Sequence, residues 1–306
     1  MKPFLTVYGH VCLDQIMALE QFPEPNTSVD IAEKHRYFGG TGANIATLSA
    51  SLGVPTALVS YVGNDLPDEF KERMASCGVD LTEMIVVDGY ETPTVTIITD
   101  SKQNQIAFVY QGPMRHMDDF EILASNASKS EIIHISTGRP DYYIRLMEEL
   151  SSIGKEISFD PAQEIHHIWT AEKFARAISL ANNFFCNANE LRTALRHMNM
   201  HRPEELLEKV SMIINTRGEE GTIVYTAEES RSIPIVPSDA VIDPTGAGDA
   251  FRAGYYAGCY YGHSTEKCLA YGNAAASIIL EAKGAVGILP TWKLVKERAK
   301  SLLETL

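Results

Sequence analysis

Cysteine is scarce in this 306-residue chain, and basic charge is scarcer than acidic. The five cysteines, Cys12, Cys77, Cys186, Cys259 and Cys268, are odd in number, widely spread and without a Cys-x-x-Cys pair. That excludes a disulfide framework and a zinc cluster and fits a reduced chain. Lys plus Arg number 26 against 40 Asp plus Glu, a formal charge of −14. Binding nucleic-acid backbone or an anionic membrane needs clustered basic charge, so neither is an expected partner. No run approaches the ~18 uninterrupted apolar residues of a membrane span, and the first residues reach Asp14 too soon for a signal-peptide core. The expected location is cytoplasmic. Also missing are Gly-x-x-x-x-Gly-Lys-Ser/Thr and an early Gly-x-Gly-x-x-Gly. Any phosphate chemistry therefore uses neither the P-loop nor the dinucleotide fingerprint.

What is there is a globular α/β pattern. Phe4–Tyr8, Ala57–Val62, Ile132–Ser136, Glu156–Phe159, Asn183–Cys186 and Met212–Asn215 read as buried strands. Ala43–Leu52, Asp68–Cys77, Asp141–Ile153, Ala171–Leu180, Glu190–Met198 and Glu204–Val210 read as helices between them, with Gly53 and Gly78 as C-terminal stops. Such alternation predicts a mainly parallel sheet covered by helices on both faces, with ligands at the carboxyl ends of the strands. Thr94–Thr99 and Gln105–Tyr110, joined by the polar segment Asp100–Asn104, break this rhythm. With Met17–Ile31 they suggest a small antiparallel sheet, either a lid or an edge extension of the main sheet. No repeat, low-complexity tract or linker marks a second domain.

The most informative stretch runs from Val241 to Gly254. A strand-like segment ends at Asp243-Pro244, Gly246-Ala247-Gly248 makes a tight turn, and Asp249 opens a run of small residues suited to a closely packed helix. A glycine turn opening a helix lets backbone N–H groups and the positive helix end approach an anion. Asp249, in the first turn, is placed to take a proton from an attacking hydroxyl. An acidic cap on an ordinary glycine turn has the same letters.

Asp243-Pro244-Thr245-Gly246-Ala247-Gly248-Asp249-Ala250-Phe251 resembles the C-terminal signature of the ribokinase-like (PfkB) family of carbohydrate and nucleoside kinases, and Gly39-Gly40-Thr41-Gly42-Ala43-Asn44 resembles its N-terminal one. Asn187-Ala188-Asn189-Glu190 is similar to the family's Asn-x-x-Glu motif, and Thr216-Arg217-Gly218-Glu219-Glu220-Gly221 to its Thr-Lys/Arg-Gly-x-x-Gly element. The resemblance implies a single three-layer α/β/α kinase domain over 1–306, with a β lid from about 15–37 and 92–112. It implies Asp249 as the base, and the N–H groups of Gly246, Ala247 and Gly248 as the anion hole. Glu190 would organise Mg²⁺ through water, with Asn187 beside the ATP phosphates. Thr216, Gly218, Gly221 and Asn273 would line the ATP site, and Asp14, Gly40 and Asn44 would hold the sugar. In some relatives Asp243 and Thr245 bind a monovalent cation such as K⁺. Here the Ser-like ligand position of potassium-activated relatives is apolar, around Ile288, which counts against that role.

The acceptor is read from finer likeness. Phe22–Ser28, Phe159–Gln163 and Asp249–Gly254 are more similar to archaeal broad-specificity nucleoside kinases than to ribokinase. The implied reaction is transfer of the ATP γ-phosphate to the 5′-hydroxyl of a ribonucleoside such as inosine, guanosine, adenosine or cytidine. Gln163 would meet the base, and Phe108, Tyr110 and Arg115 would cover it from the lid. The alternatives are a sugar kinase acting on ribose or a related carbohydrate and, remotely, a non-catalytic nucleoside or sugar sensor, which would have no use for Asp249. Lids of this family often pair across a two-fold axis, which predicts a homodimer.

Overall fold

A computed structural model describes residues 2–102 and 104–306. Met1 and Gln103, the latter belonging to the polar segment Asp100–Asn104 read from the sequence, lie outside the described residues. In chain order the strands are β1 (Leu5–Tyr8), β2 (Cys12–Ala18), β3 (Glu33–Gly39), β4 (Thr56–Val62), β5 (Asp80–Val86), β6 (Thr94–Thr99), β7 (Gln105–Tyr110), β8 (Ile132–Ile135), β9 (Glu156–Phe159), β10 (Asn183–Asn187), β11 (Met212–Thr216), β12 (Thr222–Thr226) and β13 (Ser230–Ile233). The helices are α1 (Thr41–Ser51), α2 (Asp68–Ser76), α3 (Pro140–Ser152), α4 (Ala171–Ile178), α5 (Ala188–Met198), α6 (Pro203–Leu206), α7 (Ala247–Tyr260), α8 (Thr265–Ile279) and α9 (Trp292–Leu303).

The large sheet has the order β13-β12-β11-β10-β9-β8-β1-β4-β5. From β11 to β5 all pairs are parallel, and β12 and β13 extend one edge antiparallel. Alternate residues of its strands feed two separate cores. Val7, Ile132, Phe185 and Ile214 pack with α1, α7 and α8 on one face. Tyr8, Ile133, Phe184 and Ile213 pack with α3, α4 and α5 on the other. Burial on both faces is why these strands are predominantly apolar rather than alternating.

The second sheet has the order β3-β2-β6-β7. Two antiparallel pairs, β2/β3 and β6/β7, are joined by the parallel pair β2/β6. The segment expected to contribute Met17–Ile31 is mostly a connection: β2 stops at Ala18 and β3 starts at Glu33. The strand expected before Pro244 is also absent. Val241 and Ile242 are 72% and 56% exposed, so they have no sheet to bury them. No helix among the described residues is long and apolar enough to cross a membrane.

Candidate active site

A cavity of about 380 Å³ opens at the carboxyl ends of the parallel strands, where β9, β10 and β11 deliver Asp160, Asn187 and Thr216. Glu190, Gln163, Thr41, Ser136, Gly246, Gly248, Asp249 and Arg252 complete its lining. The turn before α7 is built as its glycines require. Gly246 caps the helix with φ 81°, and a Cβ there would collide with Ala285, so both backbone and space demand glycine. The first N–H groups of a helix have no acceptor within it, which leaves those of Gly248 and Asp249 without an intrahelical partner. Ala247 differs: its N–H donates to the Pro244 carbonyl at 3.2 Å, and it does not line the cavity.

Asp249 accepts a hydrogen bond from Asn44 Nδ2 at 2.8 Å, which joins the two glycine-rich segments across the fold. Burial pushes its carboxyl up to about 7, against the lowering pull of Asn44 and Arg252. Such a group is ionised in part at neutral pH and suited to proton transfer. Asn44 Oδ1 and Ser136 Oγ are buried without a protein partner, which leaves each free to bond water or a ligand. Gly40 caps α1 at φ 96°, and Gly39 packs directly on the Asp14 carboxylate. Burial raises Asp14 to about 6.

Asn187 and Glu190 form a capping box on α5. The Asn187 side chain accepts the Glu190 N–H at 2.9 Å, and Glu190 accepts the Asn187 N–H at 2.6 Å. Burial raises the Glu190 carboxyl, and it still faces the cavity. Among the described residues no cluster of three or more His, Cys, Asp or Glu is arranged to hold a metal. One buried carboxylate suits an ion carried in mostly by phosphates and its own water.

Other expected residues fall elsewhere. Gly218 and Gly221 form the β11–β12 turn outside the cavity lining, the Gly221 N–H bonding the Gly218 carbonyl at 3.1 Å. Asn273 is also outside it. Its amide accepts from Thr222 at 2.9 Å and donates to the Pro234 carbonyl at 2.8 Å, pinning the β12–β13 edge. Asp243 accepts the N–H groups of Thr245 and Gly284 at 2.9 and 2.8 Å. Burial raises this carboxyl, but the two bonds outweigh it and hold it below the usual range. Phe108 and Tyr110 are exposed on β7, at 58% and 46%.

Gln163 and Arg115, expected side by side, line different cavities. Arg115 borders a second space of about 240 Å³ with His10, Gln111, Met114, Gly138, Arg139, Glu164, His167 and Ile168. A directed hydrogen-bond chain links the two spaces. The Thr41 hydroxyl lies 2.6 Å from that of Thr137, which lies 2.7 Å from His10 Nδ1; His10 Nε2 lies 2.5 Å from Gln111 Oε1. An amide oxygen only accepts, so Nε2 carries the proton and Nδ1 accepts from Thr137. Burial lowers His10 to about 4, which keeps the ring neutral. Glu164 accepts the Gly138 N–H at 2.6 Å, yet burial lifts its carboxyl to about 8.

Sequence reasoning missed this second space and a buried Arg252–Asp160 pair in the first. One signal for the pair was present: Arg252 is the sole basic residue in a helix otherwise of small and apolar residues around Asp249.

The pfkB family carbohydrate kinase pattern matches residues 2–292. The chain belongs to that family. It is 36% identical to the nucleoside kinase of Methanocaldococcus jannaschii over 295 residues, covering 96% of each chain. It is likewise 36% identical over 289 residues to the nucleoside kinase of Methanothermobacter thermautotrophicus, covering 94% of this chain and 92% of that one. The crystal structure of the M. jannaschii enzyme, an archaeal member of the ribokinase family, superposes with a TM-score of 0.91 at 34% identity, over 98% of this chain and 99% of that one. This pfkB-family chain is thus a phosphotransferase acting on an alcohol group, a nucleoside or sugar kinase. Kinases of the family use ATP with a divalent metal, typically Mg²⁺.

Proposed function

We propose that the chain transfers the γ-phosphoryl group of ATP to the 5′-hydroxyl of a ribonucleoside of the inosine, guanosine, adenosine and cytidine class. The observation that carries the nucleoside part is the second cavity. A free sugar is held through its hydroxyls by Asp14 and Asn44; a nucleoside also needs room for its base. The N–H of Ala43, next to Asn44, donates to the His10 carbonyl at 3.1 Å, and His10 lines the second space, so that space neighbours the sugar grip. Met114 and Ile168 offer apolar faces to a flat ring, and Gln111, Arg115 and Glu164 offer polar groups to its edges. The names of the two archaeal relatives point the same way.

In this reading Asp249 accepts the proton as the 5′-oxygen attacks the γ-phosphorus. The bond from phosphorus to the bridging oxygen breaks, and ADP leaves with the electron pair. The Gly246–Gly248 turn and the positive end of α7 face the charge on the equatorial oxygens. Little else is required, because phosphoryl transfer is mostly positioning and neutralisation. Asn187 and Thr216 border the ATP phosphates, and Gly218, Gly221 and Asn273 shape the hairpin that backs the nucleotide. Glu190 fits Mg²⁺ through its water shell; bound with ATP, the ion supplies further charge neutralisation. Asp243 and Thr245 brace the turn, and a monovalent cation there would displace the N–H bonds Asp243 now accepts.

A homodimer through the small sheet belongs to the same reading. The β3 edge carries Glu33, Lys34, His35 and Arg36, whereas the β7 edge exposes Ile106, Phe108, Val109 and Tyr110. Charged edges resist pairing and apolar ones invite it, so β7 is the edge that a second copy covers.

A coupled ADP-release assay over nucleosides and sugars tests the function. Turnover with inosine is expected, and Asp249→Asn is expected to remove it while inosine binding survives. Turnover with ribose but not with any nucleoside would overturn the acceptor; equal turnover in Asp249→Asn would overturn the mechanism.

A further inference from the structure

Arg252 is the one basic side chain among the residues lining the larger cavity, and it is only 7% exposed. It lies one helical turn past Asp249 on α7. Its Nε and one terminal nitrogen donate to the two carboxylate oxygens of Asp160 at 2.6 and 3.2 Å. Its other terminal nitrogen donates to the Gly248 carbonyl at 3.1 Å, within the glycine turn. This forked contact uses the planar guanidinium, which a lysine cannot copy.

Asp160 is itself held. It follows β9, its N–H bonds the Ile135 carbonyl at 2.8 Å, and His134 Nε2 stands 3.5 Å from its carboxylate. Burial opposes the Asp160 charge, but Arg252 and His134 outweigh it and bring the carboxyl down to about 2. The Phe185 ring on β10 lies 5.6 Å from the guanidinium. Burying an ion pair returns little stability, because desolvation costs about what the attraction gains. A use at the cavity explains the pair where stability does not.

We propose that the Asp160–Arg252 pair is the positioning element of the phosphoryl-transfer site: Asp160 aims the guanidinium, which fixes the Gly246–Gly248 turn through the Gly248 carbonyl and sets a permanent cation beside Asp249. The proposal rests on the reading of Asp249 as the base. The charged groups around Asp249 are Arg252 on its own helix, Asp160 after β9 and Asp14 on β2, with Glu190 on α5 across the cavity and neutral Asn44 on α1. Without Arg252, carboxylates alone would share this space, and the proton of Asp249 would be held more tightly.

The test compares Arg252→Met and Arg252→Lys with the unaltered full chain. One readout is the titration of the Asp249 carboxyl by ¹³C NMR in the ligand-free protein, its signal assigned with Asp249→Asn. The other is the pH profile of kcat, with KM for ATP. In Arg252→Met the Asp249 titration is expected to rise by about one pH unit, as when an opposite charge at ~4–6 Å is lost. Its kcat at neutral pH is expected to fall on the order of 100-fold, as for loss of one preorganised charge-stabilising group, with KM for ATP changed far less. Arg252→Lys keeps the charge but not the fork, so its titration stays near that of the unaltered protein while kcat falls. An unchanged value of either readout in Arg252→Met overturns the proposal. Should that variant not fold, an unchanged kcat in Arg252→Lys overturns it instead. If Asp249→Asn itself retains turnover, the base reading fails, and the titration arm still reports whether Arg252 acts on Asp249.

Discussion

The two cavities differ in kind although one hydrogen-bond chain joins them. The larger holds Asp160, Glu190 and Asp249 around a single arginine, and its walls come from strand ends and the glycine turn. The smaller mixes Met114 and Ile168 with Gln111, Arg115 and Glu164, and its walls come largely from connecting segments. Charge that must be matched in a transition state requires rigid supports; a base that must be chosen among several can be read from loops. The division implies that chemistry and choice of acceptor are separable by mutation.

The strongest separation should come from Asp249→Asn. General-base catalysis contributes about 10²–10⁴-fold, so kcat should fall by that order for every acceptor, with the ratio between nucleosides unchanged in steady-state assays. In the unaltered protein, activity should rise with pH through about 7, because the carboxyl lifted there by burial must lose its proton to act. Next is Gly246→Ala, where the left-handed backbone and the contact with Ala285 both resist a side chain. Loss of a preorganised anion-hole donor costs about 10²–10³-fold in kcat, again for all acceptors alike, as stopped-time ADP release would show.

In the smaller cavity, Glu164→Ala should lower kcat/KM for nucleosides by about 10–100-fold, the scale of one or two buried hydrogen bonds, and leave turnover of poor sugar acceptors unchanged. Between pH 7 and 9 the buried Glu164 changes from a donor to an acceptor, since its carboxyl is lifted to about 8. Nucleoside KM should drift over that range in the unaltered protein and stay flat in Glu164→Gln. The smallest effect on chemistry should follow Phe108→Asp on β7. Sedimentation should show a shift from dimer to monomer, with kcat lowered only as far as the small sheet loses its cover.

The same contrast governs what the amino-acid order reveals. β1, β4, β8, β10 and β11 are legible because burial on both faces makes them predominantly apolar rather than alternating. β5 and β13 are not, since their side chains are mostly half or fully exposed and carry no clear period. Val241-Ile242 shows the opposite failure: apolar residues that look like a strand but lie exposed in a connection. The glycine turn and Asp249 are contiguous and so can be read directly. Arg252 and Asp160 stand 92 positions apart and meet only in the fold. The second cavity gathers His10, Gln111, Gly138 and Glu164 from four separate connections, and no local pattern announces it.

Under the proposed function, the smaller cavity selects a nucleoside for chemistry performed in the larger. The most direct measurement is kcat/KM for inosine and for ribose, by coupled ADP release, in the unaltered protein and in Glu164→Ala. The expected result is a strong preference for inosine that collapses in the variant through inosine alone. A preference for ribose, or an equal loss for both acceptors, would contradict it.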